Sequence, residues 1–214
     1  MQRIVLVSVA VLAMVVFSAP RPADAAPPTQ VITAVPVGPD GKPTNGYQET
    51  PPQGQVPAVD DCTSPSPSAV AANIYYCSPT AAGAGTCWPS PPGSLLCVDA
   101  PWDKQLHRVS YAGQLPPVQP TPTPDPFALV LDDGTRCRLR NGGAWGGRDD
   151  GYVGAYWCGD NAKLSVLALP NQPGTCIDRS APVWTVKVGE LGTPGAHLPP
   201  PQTRAVKTAW LAGN

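Results

Sequence analysis

The chain has 214 residues, a formal net charge of −1, 30 prolines, 21 glycines and seven cysteines. Near-neutrality excludes the basic footprint of a nucleic-acid binder and the polybasic stripe of a protein held on an anionic membrane. Proline and glycine at these levels leave little room for long helices, and a core of Val, Leu, Ile, Trp and Tyr suits strands, so the expected class is mainly β.

Residues 1–25 read as a secretory signal peptide, since Arg3 precedes an apolar run from Ile4 to Phe17 and the small-residue site Ala23-Asp24-Ala25 follows. The run falls short of the roughly 20 residues that cross a bilayer. Cleavage before Ala26 removes Arg3, Arg21 and Asp24, leaving 12 basic against 14 acidic side chains and no second hydrophobic span. The expected location is extracellular or at the cell envelope, an oxidising space where cysteines default to disulfides. Zinc is the weaker reading, because the sequence has no Cys-x-x-Cys pair and no His/Cys cluster.

Residues 26–61, rich in Pro, Gly, Thr and Gln, read as a disordered tail. Residues 62–113 form a small Cys-rich β region holding Cys62, Cys77, Cys87 and Cys97, with strand candidates over 95–98 and 106–112. Ser66 or Ser68 as a cap, with Val70 and Ile74 at four-residue spacing, predicts a short helix over 68–76. Residues 114–126 alternate Pro with Thr and favour polyproline II geometry, as an interdomain linker or a strap. The same alternation is compatible with O-glycosylation, although a stiff spacer is the preferred account.

Residues 127–214 form a β domain that opens on a hairpin, 127–131 and 135–140 around Asp132-Asp133-Gly134. A two-residue turn would put the arginines on the apolar face. A three-residue loop with Gly134 left-handed instead pairs Leu129 with Cys137 and Phe127 with Leu139, which gathers the apolar side chains in the core. Arg136, Arg138 and Arg140 then line the outer face, able to hold an anion or simply to be solvated. Further strands are expected over 152–158, 164–169 and 183–188, with Trp184, Val186 and Val188 on the buried side, and a closing strand over 204–210. Short strands at this spacing predict a small disulfide-stabilised sandwich or barrel. Strand proximity suggests Cys137–Cys158 and Cys87–Cys97 as bridges, but the pairing as a whole stays open. Cys176 is the choice for the odd thiol, through which a disulfide-linked dimer would form.

Five glycines surround one tryptophan in residues 140–152. Trp145 and Tyr152 offer flat faces to a sugar ring, while Arg148, Asp149 and Asp150 can hydrogen-bond its hydroxyls. The competing reading folds Trp145 over the core. Asp132-Asp133 and Asp149-Asp150 lack the alternating oxygen ligands of a calcium loop, and no phosphate-binding loop occurs, so no metal or cofactor is expected. Catalysis would have to draw on His107 in a predicted strand or His197 among glycine and prolines, and no nucleophile motif accompanies either, so no catalytic residue is assigned. The expected function is a secreted, non-enzymatic binding or structural protein contacting an envelope saccharide or a protein partner. The alternative is a secreted hydrolase using His107 or a carboxylate pair.

The elements Cys87-Trp88-Pro89, Leu96-Cys97, Leu131-Asp132-Asp133-Gly134-Thr135-x-Cys137 and Gly142-Gly143-Ala144-Trp145-Gly146-Gly147-Arg148 resemble secreted proteins of mycobacteria and related actinobacteria, over about residues 77–214. The resemblance implies export and an actinobacterial source. It implies no activity, ligand or catalytic residue.

Overall fold

A computed structural model describes residues 26–143, 146–159, 164–170 and 176–214. The expected signal peptide and Trp145 lie outside the described residues. The strands are β1 (Gln30–Ala34), β2 (Gln48–Glu49), β3 (Ala58–Val59), β4 (Asp61–Pro65), β5 (Tyr75–Ser78), β6 (Cys87–Pro89), β7 (Ser94–Val98) and β8 (Gln105–Tyr111). They continue as β9 (Ala128–Leu131), β10 (Arg136–Leu139), β11 (Val153–Cys158), β12 (Leu164–Ala168), β13 (Ile177–Asp178), β14 (Thr185–Glu190) and β15 (Gln202–Ala212). A 3-10 turn occupies Thr80–Ala82. The class is mainly β, and no helix among the described residues is long and apolar enough to cross a membrane.

The hairpin β9–β10 shows how local chemistry selects register. Cys137 pairs with Leu129, Leu131 N donates to Thr135 O, and Gly134 sits at φ 85° in a three-residue loop. Glycine takes that conformation without a side-chain penalty. Leu129, Leu131 and Cys137 are thereby buried while Arg136 and Arg138 face out.

Strands β9, β10, β11, β12, β14 and β15 pair in that order and close into a barrel, because β15 bonds β14 on one side and β9 on the other. Tyr156, Val166, Val186, Val188, Val206 and Ala209 fill the interior with the hairpin's apolar residues, and Trp184 packs against them half-buried. A barrel this narrow is filled by its own side chains and has no lumen. Cys137 and Cys158 face each other across β10 and β11 and are bridged inside it.

The second sheet runs β2-β8-β7-β6-β5-β4, with β3 also on β8. Its central strand β7 accounts for the unbroken run Leu95-Leu96-Cys97-Val98, since it is covered on both faces. Leu95 and Cys97 join a small core with the Cys62–Cys77 and Cys87–Cys97 bridges, whereas Leu96 and Val98 pack toward the barrel. The three intramolecular disulfides fit an oxidising, extracellular environment.

Three expectations change. The tail expected over 26–61 instead supplies β1, β2 and β3, because Ala34, Val37, Tyr47 and Val59 find apolar partners in both sheets. The helix expected over 68–76 is a set of turns leading into β5. Ser66 N donates to Ile74 O and Val70 N to Ala212 O, so Ile74 is buried while Val70 is exposed, and the two share no face. Residues 114–126 are a strap: Asn73 N donates to Val118 O, Val118 N to Asn73 Oδ1, and Tyr75 OH to Pro116 O at 2.9 Å.

Between barrel and sheet lies a shared core of Ile74, Trp88, Leu96, Leu106, Phe127 and Ala128, edged by Trp102 and Trp210 at 6.1 Å between rings. Trp88 Nε1 donates to Gly213 O at 2.9 Å. Trp88→Ala should therefore cost about 3–5 kcal/mol in urea unfolding. Trp88→Phe should cost less, since it keeps most of the volume and loses only the hydrogen bond. A loss below about 1 kcal/mol for the alanine variant would show that this core does not hold the two sheets together.

Candidate functional site

The charged residues of the glycine-rich loop are divided: Asp149 and Asp150 line one recess with His197 and Leu198, while Arg148 is buried. The Arg148 side chain is 0% exposed and lies against the outer face of the barrel. Its Nε donates to both Asp150 carboxylate oxygens at 2.9 and 3.0 Å, and its Nη2 to Asp150 Oδ2 at 2.6 Å. Nη1 donates to Glu190 O at 2.9 Å and Nη2 to Pro199 O at 2.8 Å, so one guanidinium ties three segments together. Hydrogen bonding to Arg148 holds the Asp150 carboxyl below its ordinary value, and the same bond raises the arginine's. A Cβ on Gly189 would come within 3.0 Å of Leu167 Cδ1 and 3.4 Å of Arg148 Nη1, so glycine makes room for this clamp.

Asp149 turns instead to His197, with Nδ1 2.7 Å from Oδ2 and the imidazole 93% exposed. That pair, 48 positions apart, carries no signal in the sequence. Tyr152 lines a separate groove with Leu167, Lys187 and Thr203. Of the residues expected to meet a sugar, Arg148 is buried against Asp150, Asp149 and Asp150 line the same recess, and Tyr152 lines another.

The His107 Nε2 shares a 3.1 Å hydrogen bond with Ala82 O, and its Nδ1 lies 3.6 Å from Asp99 Oδ2. The ring fastens the 3-10 turn onto β8. Several carboxylates are held by arginines: Glu49 by Arg108, Asp125 by Arg179, and Asp132 with Asp133 by Arg204. Among the described residues no group of three His, Cys, Asp or Glu side chains could hold a metal. Cys176 is 8% exposed, and burial foremost, with Asp125 adding to it, pushes its thiol up to about 11.

The arrangement best suited to a ligand lies where barrel and sheet meet. A cleft of about 370 Å³ has Arg138, Arg140 and Trp157 of the barrel on one side and Thr80, Gly83 and Asp99 of the sheet on the other, with Asn141, Gly142 and Gly143 between them. Ligand sites typically begin at about 300 Å³. Trp157 is 41% exposed and faces Arg138 in the β10–β11 ladder. Arg140 is positioned by backbone carbonyls, donating to Gly142 O at 3.3 Å, Gly143 O at 2.7 Å and Gly154 O at 3.4 Å. Next to the cleft is a smaller cavity, about 40 Å³, shared by Asp99, Arg140 and Asn141 with Tyr76, Thr86 and Phe127. Asn141 Oδ1 is buried with no hydrogen-bond partner among the described residues, an acceptor that a bound polar molecule can satisfy. The expected outer row of arginines was the one sequence signal pointing here. Trp157 read only as a member of the strand expected over 152–158.

Comparison of the chain with protein-family models, with curated proteins and with solved structures gives no match.

Two outcomes follow from this geometry. Because the Asp150 value is depressed on folding, its pairing with Arg148 stabilises above the ordinary carboxylate pKa of about 3.9 and is lost as pH falls through the lower folded value. Thermal unfolding midpoints should therefore fall between about pH 5 and pH 3 more steeply in the wild type than in Arg148→Met; equal slopes would remove the clamp from the account. Ellman's reagent should leave Cys176 untouched in the native protein and titrate about one thiol per chain after unfolding. Rapid native labelling, or a dimer band on a non-reducing gel, would show that this thiol reaches the surface.

Proposed function

We propose that the chain is an exported, non-enzymatic binding protein of the cell envelope or extracellular space, and that it takes a saccharide in the cleft beside Trp157. Residues 1–25 serve as its export signal in this reading. The observation that carries the proposal is Trp157 itself. It is an aromatic side chain held out of the core on a barrel strand, beside a guanidinium, with a hydroxyl and a carboxylate lining the same recess. A flat apolar face ringed by hydrogen-bonding groups matches a sugar, whose ring presents C–H bonds on its faces and hydroxyls at its edge. The glycine-rich loop contributes Gly142 and Gly143 to the wall of this cleft, while its Arg148 and Asp150 keep the loop in place.

The test is retention of the oxidised exported chain on native cell-envelope polysaccharide, with Trp157→Ala and Trp145→Ala alongside. The expected result is retention that Trp157→Ala loses by tenfold or more, about 1.4 kcal/mol, as for loss of an aromatic stacking contact. Loss confined to Trp145→Ala would move the contact to the glycine-rich loop. No retention of the wild type would sink the saccharide reading and direct the search to a protein partner.

A further inference from the structure

We infer that the saccharide taken in this cleft is acidic, bearing carboxylate or phosphate groups, and that Arg138 is the residue that recognises its charge; the inference rests on the saccharide reading above. Strand alternation puts Arg136 and Arg138 on the outer face of β10, where Cys137 between them faces in. The structure gives these two arginines different surroundings. Arg136 lies over the Trp102 ring at 5.3 Å, away from the cleft lining. Arg138 lines the cleft beside Trp157, its cross-strand neighbour, and enters no ion pair among the described residues. Elsewhere in the chain Arg108, Arg148, Arg179 and Arg204 each meet a carboxylate within 3.2 Å, so an arginine left exposed at a recess stands out.

The charge of the recess points the same way. Among the described residues, Arg138 and Arg140 line it with one carboxylate, Asp99, which already lies 3.6 Å from His107 Nδ1. An anionic group on a sugar stacked against Trp157 would meet a planar fork of N–H donors, the geometry in which guanidinium binds carboxylate or phosphate through two parallel hydrogen bonds. The chain as a whole carries a net charge of −1 and offers a polyanion no general attraction. Recognition must then be local to the cleft, and sensitive to salt.

The experiment separates native envelope polysaccharide into neutral and acidic fractions by anion exchange and measures retention of the oxidised full chain on each. The variants are Trp157→Ala, Arg138→Gln and Arg136→Gln, the last making the same charge change outside the cleft. The acidic fraction should bind about tenfold more tightly than the neutral one, and Arg138→Gln should erase that preference while Arg136→Gln keeps it. Stripping phosphates with cold hydrofluoric acid, or reducing carboxylates after carbodiimide activation, identifies which anion supplies the preference. Equal retention of both fractions, or an acidic preference that survives Arg138→Gln, overturns this inference and leaves the saccharide reading standing. Retention of the acidic fraction undiminished in Trp157→Ala overturns both, because it marks a bare polyanion site. An unchanged thermal midpoint for Arg138→Gln shows that a lost preference is not lost folding.

Discussion

Strand β15 is the constraint on which the rest of the molecule depends. Its first residues, Gln202 to Ala205, pair with β14, and Val206 to Trp210 pair with β9, so this one strand closes the barrel. A register shift between Val206 and Thr208 lets the strand change partners along its length, and from Thr208 to Ala212 its other edge takes β1 in parallel. Thr29 stitches the handover: its hydroxyl donates to Val206 O at 2.7 Å and accepts from Trp184 N at 2.8 Å. Past the barrel, Ala212 bridges to Ala69 and Gly213 O accepts the Trp88 indole, which brings the second sheet under the same control. Barrel closure also leaves β9, β14 and β15 without the unpaired edges that invite aggregation.

The cleft is a consequence of that arrangement. Docking the second sheet on Phe127, Ala128 and Trp210 covers part of the outer barrel face, and Arg138 and the partly exposed Trp157 line the cleft beside the 3-10 turn. The turn is fastened from behind by His107, so both walls of the recess are rigid. On another part of the barrel the Arg148 clamp does the opposite work. A buried guanidinium is tolerable when its donors are satisfied, and here a carboxylate and two carbonyls satisfy them. The glycines that look like a binding loop serve in large part to bring backbone close enough for this packing, as the Gly147–Gly192 bridge and the crowded Gly189 show.

Much of the fold was legible because it rests on short-range rules. Asp132-Asp133-Gly134 between two alternating runs selects a hairpin, and burial alone decides between its two registers. Cys87 and Cys97 are close in sequence and fall opposite each other on neighbouring strands, as do Cys137 and Cys158. Where the reading failed, a distant partner overrode local preference. The 26–61 segment looks disordered by composition, yet β1 has a waiting edge on β15 nearly 180 residues away. Residues 68–76 have a helical spacing, but Ala212 of β15 and Val118 of the strap claim their backbone donors.

The sequence by itself determined the mainly β class, the barrel hairpin with its inward apolar and outward arginine faces, and an oxidised set of cysteines, because alternation, turn chemistry and cysteine count act within a few residues. Only the tertiary structure decided which charged groups face a ligand. Arg148 and Arg138 are the same residue type ten positions apart, and nothing local distinguishes them. One is buried because β14 and the 195–201 loop close over it, and the other is exposed because the second sheet stops short of it. That difference depends on how β15 joins the two sheets, a long-range pairing that no local pattern encodes.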